Sequence, residues 1–357
     1  MTPVDIGRSG SSGNGAGSEE SAGSGLLGSS GPLVAQYDVA LVDLDGVTYK
    51  GPNAIPTAPP ALESARASGL RLVFVTNNAS REPGEVAAHL TELGIPAADD
   101  EILTAAQAGA AMLTEHLAPG VKVLVIGGKG LRTAVAAQGF EVANTADEHP
   151  AAVIQGFAPH LGWKELAEAA YAINAGARYF ATNLDLTLPT ERGMAPGNGS
   201  LVAAVVTATG VTPPAAGKPE PGMFLLAAKR AGAQRPLVVG DRLDTDLKGA
   251  RAAGIPGLLV LTGVSDVREA LLAPPEHRPS FIGADLRSLA EEHPAPRQDG
   301  DWWHVGDARA HVVGGSLMVD GGTAIDRVRA ACCATWAAAD AGEKLAVETF
   351  PHLGVAS

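Results

Sequence analysis

Two acids separated by one residue close a short apolar run near the start of the chain, in Tyr37-Asp38-Val39-Ala40-Leu41-Val42-Asp43-Leu44-Asp45-Gly46. Val39 to Val42 reads as a buried strand bounded by turn residues. Carboxylates at the C-terminal end of such a strand lie where open α/β sheets bind ligands. Two of them this close repel each other unless a cation or a shared proton intervenes. Taken alone, the stretch is better explained by a strand end and an Asp-Gly turn. Three further polar clusters reverse that weighing. Thr76 and Asn77 end the apolar run Leu70 to Val75, Lys218 follows Gly217, and Asp241 and Asp246 follow Leu237-Val238-Val239-Gly240.

Together these groups suit phosphoryl transfer, which needs an in-line nucleophile, charge neutralisation and help for the leaving group. Asp43 can attack phosphorus and carry an aspartyl-phosphate. Asp45 can protonate the leaving alkoxide and then deprotonate the attacking water. Mg²⁺ takes oxygen ligands in octahedral geometry; Asp43, the Asp45 backbone carbonyl and Asp241 would supply them, with Asp246 orienting the site from behind. Thr76 and Asn77 suit phosphate oxygens, and Lys218 offers a compact positive charge that tethers phosphate to nucleophile.

The elements around these groups alternate strand and helix, which means parallel strands joined by crossover helices. Residues 34–105 and 209–292 are expected to form a doubly wound catalytic core, with a second α/β unit over 106–208 inserted between its halves. Gly127-Gly128-Lys129-Gly130 lacks the spacing of a dinucleotide fingerprint or a P-loop and reads as a tight strand-to-helix turn. Residues 181–200 read as a long polar loop of the functional kind, leading into a helix from Leu201. A linker over 293–300 leads to a small α+β lobe at 301–357, with three short strands, a helix and a last strand Leu345 to Phe350. Trp302, Trp303 and Trp336 are expected in that lobe's core. Residues 1–33 are Gly/Ser-rich and are expected to be disordered, Leu26-Leu27 notwithstanding.

The four clusters, in this order, resemble the haloacid dehalogenase-like (HAD) phosphatases. Thr76-Asn77-Asn78, the Ala181 to Ser200 stretch and Gly240-Asp-Arg-Leu-Asp-Thr-Asp246 are similar to class IIA members, which carry a large α/β cap between the Thr and Lys motifs. The resemblance spans about Tyr37 to Glu292. It implies a Rossmann-like core, Mg²⁺ as cofactor, and the roles already argued for Asp43, Asp45, Thr76, Asn77, Lys218, Asp241 and Asp246. It further implies a small phosphorylated metabolite as substrate, with glycerol 3-phosphate preferred and phosphoglycolate, pyridoxal phosphate or a nucleotide as alternatives, and a homodimer formed through the cap. Asn183, Asp185 and Arg192 are the candidate substrate contacts from the 181–200 stretch, Arg192 for a second anionic or polyol group.

Other classes fit less well. A dehalogenase needs no general acid at Asp45. In a phosphorelay receiver the lysine comes last, whereas Lys218 precedes Asp241. A non-catalytic binding protein of the same fold has no use for the intact acid set. The net charge of −13 argues against nucleic acid or an anionic membrane as partner. Two adjacent cysteines, Cys332 and Cys333, exclude a disulfide framework. With no spanning apolar run or leader, a cytoplasmic protein is expected.

Overall fold

The computed structural model describes residues 25–190 and 192–355. Its central sheet has six parallel strands in the order Phe281–Gly283, Gly257–Val260, Pro236–Gly240, Val39–Val42, Arg71–Thr76 and Ile102–Thr104. Val39 and Leu41 point into one apolar cluster while Ala40 and Val42 point into another on the opposite face. A sheet covered on both sides has no use for polar alternation, hence the unbroken apolar runs. This is the doubly wound α/β core expected.

The chain leaves this sheet after Thr104 and rejoins it at Pro236. In between lies a second parallel sheet, ordered Glu141–Ala143, Lys122–Ile126, Ala152–Gln155 and Arg178–Ala181. One apolar cluster runs through both layers, joining Val39 and Met223 to Val123, Ile154 and Phe180. Gly127 to Gly130 do form a strand-to-helix turn, and the Gly130 amide bonds the Ser80 carbonyl, 3.1 Å away across the layers.

Residues 181–200 differ from the expected loop. They contain an antiparallel hairpin, Thr187–Thr190 with Gly193–Pro196, followed by a helix that begins at Asn198 rather than Leu201. The polar, Pro-rich composition hides it, because the hairpin has little apolar alternation to betray its period.

The C-terminal lobe is a four-stranded antiparallel sheet, Arg297–Asp299, Trp302–Val305, Ala308–Val313 and Ser316–Gly321, packed on the helix Ala324–Asp340. The expected linker thus contains an edge strand. The expected last strand is instead a short 3₁₀ turn, Val347–Thr349, tied to the hairpin turn of the sheet by the Ala346 amide, which bonds Gly315 O, and by Thr349 Oγ1 at Ser316 Oγ. Trp336 is core, with Nε1 bonded to the Ala270 carbonyl at 2.9 Å. Trp303 is half-buried, and Trp302 lies on the outer face, stacked on His311.

At the N-terminus, residues 1–24 of the expected disordered tail lie outside the described residues. Residues 25–33 are ordered: the Leu27 amide bonds Ser280 O, the Ser29 amide bonds His293 O, and His293 N returns a bond to Ser29 Oγ. Leu26 packs against the lobe's apolar cluster and Leu27 against the core's. An isolated Leu-Leu pair looks inert in the sequence because its partners are more than 200 residues away.

Candidate active site

The strands Pro236–Gly240, Val39–Val42 and Arg71–Thr76 are neighbours, so their C-terminal ends bring Asp241, Asp43 and Thr76 side by side. Lys218 enters from the loop before the helix Gly222–Arg230. Its Nζ donates to Asp43 Oδ1 at 2.5 Å and to Asp246 Oδ1 at 2.7 Å. It is buried, as is Asp246. Burial, the largest influence, opposes the ammonium charge, but Asp246 and Asp43 together outweigh it and hold the lysine well above its usual range.

The acids outnumber the cation. One oxygen each of Asp43, Asp241 and Asp246 lie within 4.8 Å of one another. Burial raises the Asp43 carboxyl, with Asp45 adding and Lys218 opposing. Asp246 is pushed up to about 6 by burial and the nearby Asp43 charge, with Lys218 opposing. Asp241 reaches about 8, through burial first and then repulsion from Asp43 and Asp246. Its Oδ2 accepts from Val264 N at 2.6 Å, while its Oδ1 is buried with no partner among the described residues. Gly46 explains how the strand ends approach so closely: its φ is +81°, and a Cβ there would collide with the Asp241 carboxylate. An orphaned buried carboxylate oxygen facing two further acids fits a divalent cation with oxygen ligands. Asp43 and Asp241 would hold such an ion. Asp246 spends one oxygen on Lys218 and the other on Arg242 N, at 3.2 Å.

Asp45 stands at the mouth, open to solvent on one side and crowded by protein atoms on the other. That crowding raises its carboxyl above the ordinary range, against the pull of Lys218, Tyr49 and Arg81. The Thr76 hydroxyl accepts from Asn78 N at 3.1 Å, which leaves its proton free to donate into the cavity.

Asn77 departs from expectation. Its side chain pairs with the backbone of Lys218, accepting from N at 2.9 Å and donating to O at 3.0 Å, and also donates to Asp185 at 3.0 Å. With both ends of its side-chain amide engaged, Asn77 fixes the Lys218 backbone at the edge of the cavity. Asn183 is likewise structural, donating to Asn77 O at 2.8 Å and accepting from Asp185 N. Asp185 lines the cavity. Arg192 does not: it is exposed in the turn of the hairpin, where its amide bonds Thr190 Oγ1.

The cavity, about 640 Å³, is also lined by Tyr49, Arg81, His89, Arg242 and Asn198, which sequence reasoning missed. Arg242 was legible, lying within the quoted Gly240 to Asp246 stretch. Asn198 had a subtler signal in the glycines flanking it: a Cβ at Gly199 would strike the Leu184 carbonyl, so only glycine lets the hairpin base sit against the helix start. Tyr49, Arg81 and His89 carry no local mark, since only folding brings them to the mouth.

Residues 40–141 match the haloacid dehalogenase-like hydrolase family and residues 215–289 the HAD-hydrolase-like family. The chain is 49% identical over 260 residues to the D-glycerol 3-phosphate phosphatase of Mycobacterium tuberculosis, covering 73% of each protein. It is 36% identical to an acid sugar phosphatase of Staphylococcus aureus, over 66% of this chain and 90% of that one. Among solved structures, a glycerol phosphate phosphatase of M. tuberculosis in complex with magnesium superposes with a TM-score of 0.79 at 44% identity, over 86% of this chain and 92% of that one. The chain belongs to the haloacid dehalogenase-like hydrolases.

Proposed function

We propose that the protein is an Mg²⁺-dependent phosphomonoester hydrolase whose substrate is glycerol 3-phosphate. The observation that carries the reading is the Lys218 ammonium held between Asp43 and Asp246 while an oxygen of the neighbouring Asp241 lacks any partner. The likeness to a D-glycerol 3-phosphate phosphatase supports the substrate, and a relative solved with magnesium supports the metal.

In this reading an Asp43 oxygen attacks phosphorus, the ester P–O bond breaks, and Asp45 gives its proton to the departing alkoxide. Water then attacks the phosphorus of the aspartyl-phosphate, Asp45 takes the water's proton, and the Asp43 carboxylate is regenerated with release of phosphate. Lys218 and the Thr76 hydroxyl hold the phosphoryl oxygens; Asn77 and Asp246 position Lys218. Bound at Asp43 and Asp241, Mg²⁺ would neutralise charge on phosphate and nucleophile. Residues 34–105 and 209–292 form the catalytic core in this reading, and 106–208 the cap that excludes water during transfer.

We place the enzyme in the cytoplasm, a reading supported by the acidic composition and the two unbridged cysteines. No helix among the described residues is long and apolar enough to cross a membrane. The deciding experiment is phosphate release from glycerol 3-phosphate, phosphoglycolate, pyridoxal 5′-phosphate and nucleoside monophosphates, with and without Mg²⁺. Metal-dependent release led by glycerol 3-phosphate is expected. Equal, slow release from all would refute the substrate, and no release from any would refute the activity.

A further inference from the structure

A second cleft, about 630 Å³, opens at the end of the central sheet opposite Asp43 and Thr76. Arg71 begins the strand that ends in Thr76, so the two lie about 17 Å apart along it. Val73, Leu103 and Ala227 form an apolar floor and belong to the cluster between the two parallel sheets. The last turn of the helix Gly222–Arg230 borders the cleft, as does the short turn Asp99–Glu101.

Two of the three arginines here are already matched. Arg66 donates to both oxygens of Glu101, at 2.6 and 2.9 Å. Arg71 donates to Ala231 O at 2.5 Å and lies 3.7 Å from an Asp38 oxygen. Arg230 lines the cleft and makes no hydrogen bond or ion pair among the described residues. An arginine in the last turn of a helix ordinarily serves the free carbonyls there. Arg71 has taken that role at Ala231, and Arg230 is left without it. Arg230 is exposed, so solutes can reach it. Neighbouring atoms nevertheless crowd the guanidinium enough to lower its pKa, and no acid offsets that cost. Asp99 and Asp100, exposed on the rim, do not pair with it.

We propose that this cleft binds a small organic monocarboxylate, with the carboxylate on Arg230 and the apolar body over Val73, Leu103 and Ala227. A guanidinium presents paired N–H donors that match a carboxylate in shape and charge. An apolar floor with few placed polar groups is the usual make-up of a small-molecule site, and the volume suits one. Asp99 and Asp100 set the charge. A single negative group can sit on Arg230, whereas a multiply charged anion also meets the two acids. The site shares no residue with the Asp43 cavity and stands apart from the phosphatase reading.

The test is a fluorine NMR titration of the full chain with para-fluorophenylacetate, in wild type, Arg230→Gln and Lys229→Gln. Lys229 adjoins Arg230 on the same helix but does not line the cleft. Saturable binding to wild type is expected, about tenfold weaker in Arg230→Gln and unchanged in Lys229→Gln. The uncharged para-fluorophenylacetamide should bind about tenfold more weakly than the acid. Excess inorganic phosphate with Mg²⁺, which competes for the Asp43 cavity, should not displace the probe. Should Arg230→Gln not fold by circular dichroism, Arg230→Met makes the same measurement. No saturable binding to wild type, undiminished binding to the folded Arg230 variant, or displacement by phosphate overturns the proposal. An equal loss in Lys229→Gln, or equal binding of the amide, overturns it too.

Discussion

Two buried cations in this molecule are treated in opposite ways. Arg329, at the junction of core and C-terminal lobe, donates to Ile282 O at 2.8 Å, to Asp326 at 2.9 Å and to His293 Nδ1 at 3.2 Å. With Nδ1 accepting, the other ring nitrogen of His293 carries the proton and donates to Ser288 O at 3.0 Å. That network is closed. Around Lys218 the ammonium bonds Asp43 and Asp246, and an oxygen of the neighbouring Asp241 is left over. The first arrangement holds surfaces together, and the second is completed only by something arriving from solvent. The difference in polar satisfaction, rather than in burial, separates a structural cluster from a reactive one.

The largest effect that could break this contrast is at Asp43. Asp43→Asn should lower kcat by at least about 10⁴-fold, as removal of a nucleophile does elsewhere, while circular dichroism stays native. Near-normal turnover, with deamidation excluded by mass spectrometry, would break the covalent scheme. Asp45→Asn should cost about 10²–10⁴-fold on glycerol 3-phosphate and clearly less on an aryl phosphate, whose leaving group needs little protonation. Equal losses on both esters would deny Asp45 the role of acid.

Metal and proton should act oppositely on the two clusters. At 100 times its Kd, Mg²⁺ should stabilise the fold by about 2.7 kcal/mol, read as a rise in Tm that EDTA reverses. The Asp241 carboxyl is ordinary in the unfolded chain and near 8 when folded. Its contribution is therefore present below about pH 4 and lost as pH rises through 8, and added Mg²⁺ should flatten that loss. His293 runs the other way. Burial, with help from Arg329, depresses it to about 4, so the unfolded chain binds the proton first. Its contribution is present above pH 6.5 and is lost as pH falls towards 4, by about 3 kcal/mol at most. Urea unfolding of wild type and His293→Gln at pH 7 and pH 4.5 measures it. Equal acid losses in both proteins would show that the closed network does not depend on the neutral imidazole.

That the polar side chains of the cavity floor would come together was legible because short-range signals and chain order coincide there. Asp43, Thr76 and Asp241 each sit at the end of an apolar run, and parallel strands bring such ends together, while Lys218 comes from the loop before a helix and Asp246 from the helical turn after Asp241. The Asn77 side chain, expected at phosphate, is engaged with the Lys218 backbone, because an amide after a strand end fits either a ligand or a backbone. Only the 141-residue contact with Lys218 decides between them. Arg192 looked functional because a lone cation in a polar loop carries no sign of which way a hairpin will aim it. Of the hairpin's neighbours on the cavity, Asp185 was named from the sequence, whereas Asn198 was hidden among glycines.

The segment from Leu26 to Ser29 lies across the seam between core and lobe, and its bonds with His293 join residues 264 apart. Such contacts have the longest loop to close and come late in folding. During synthesis the segment emerges 264 residues ahead of His293 and has to wait for that partner to be made. The lobe should therefore dock late, and Leu26 to Ser29 should be among the last residues to become protected from hydrogen exchange.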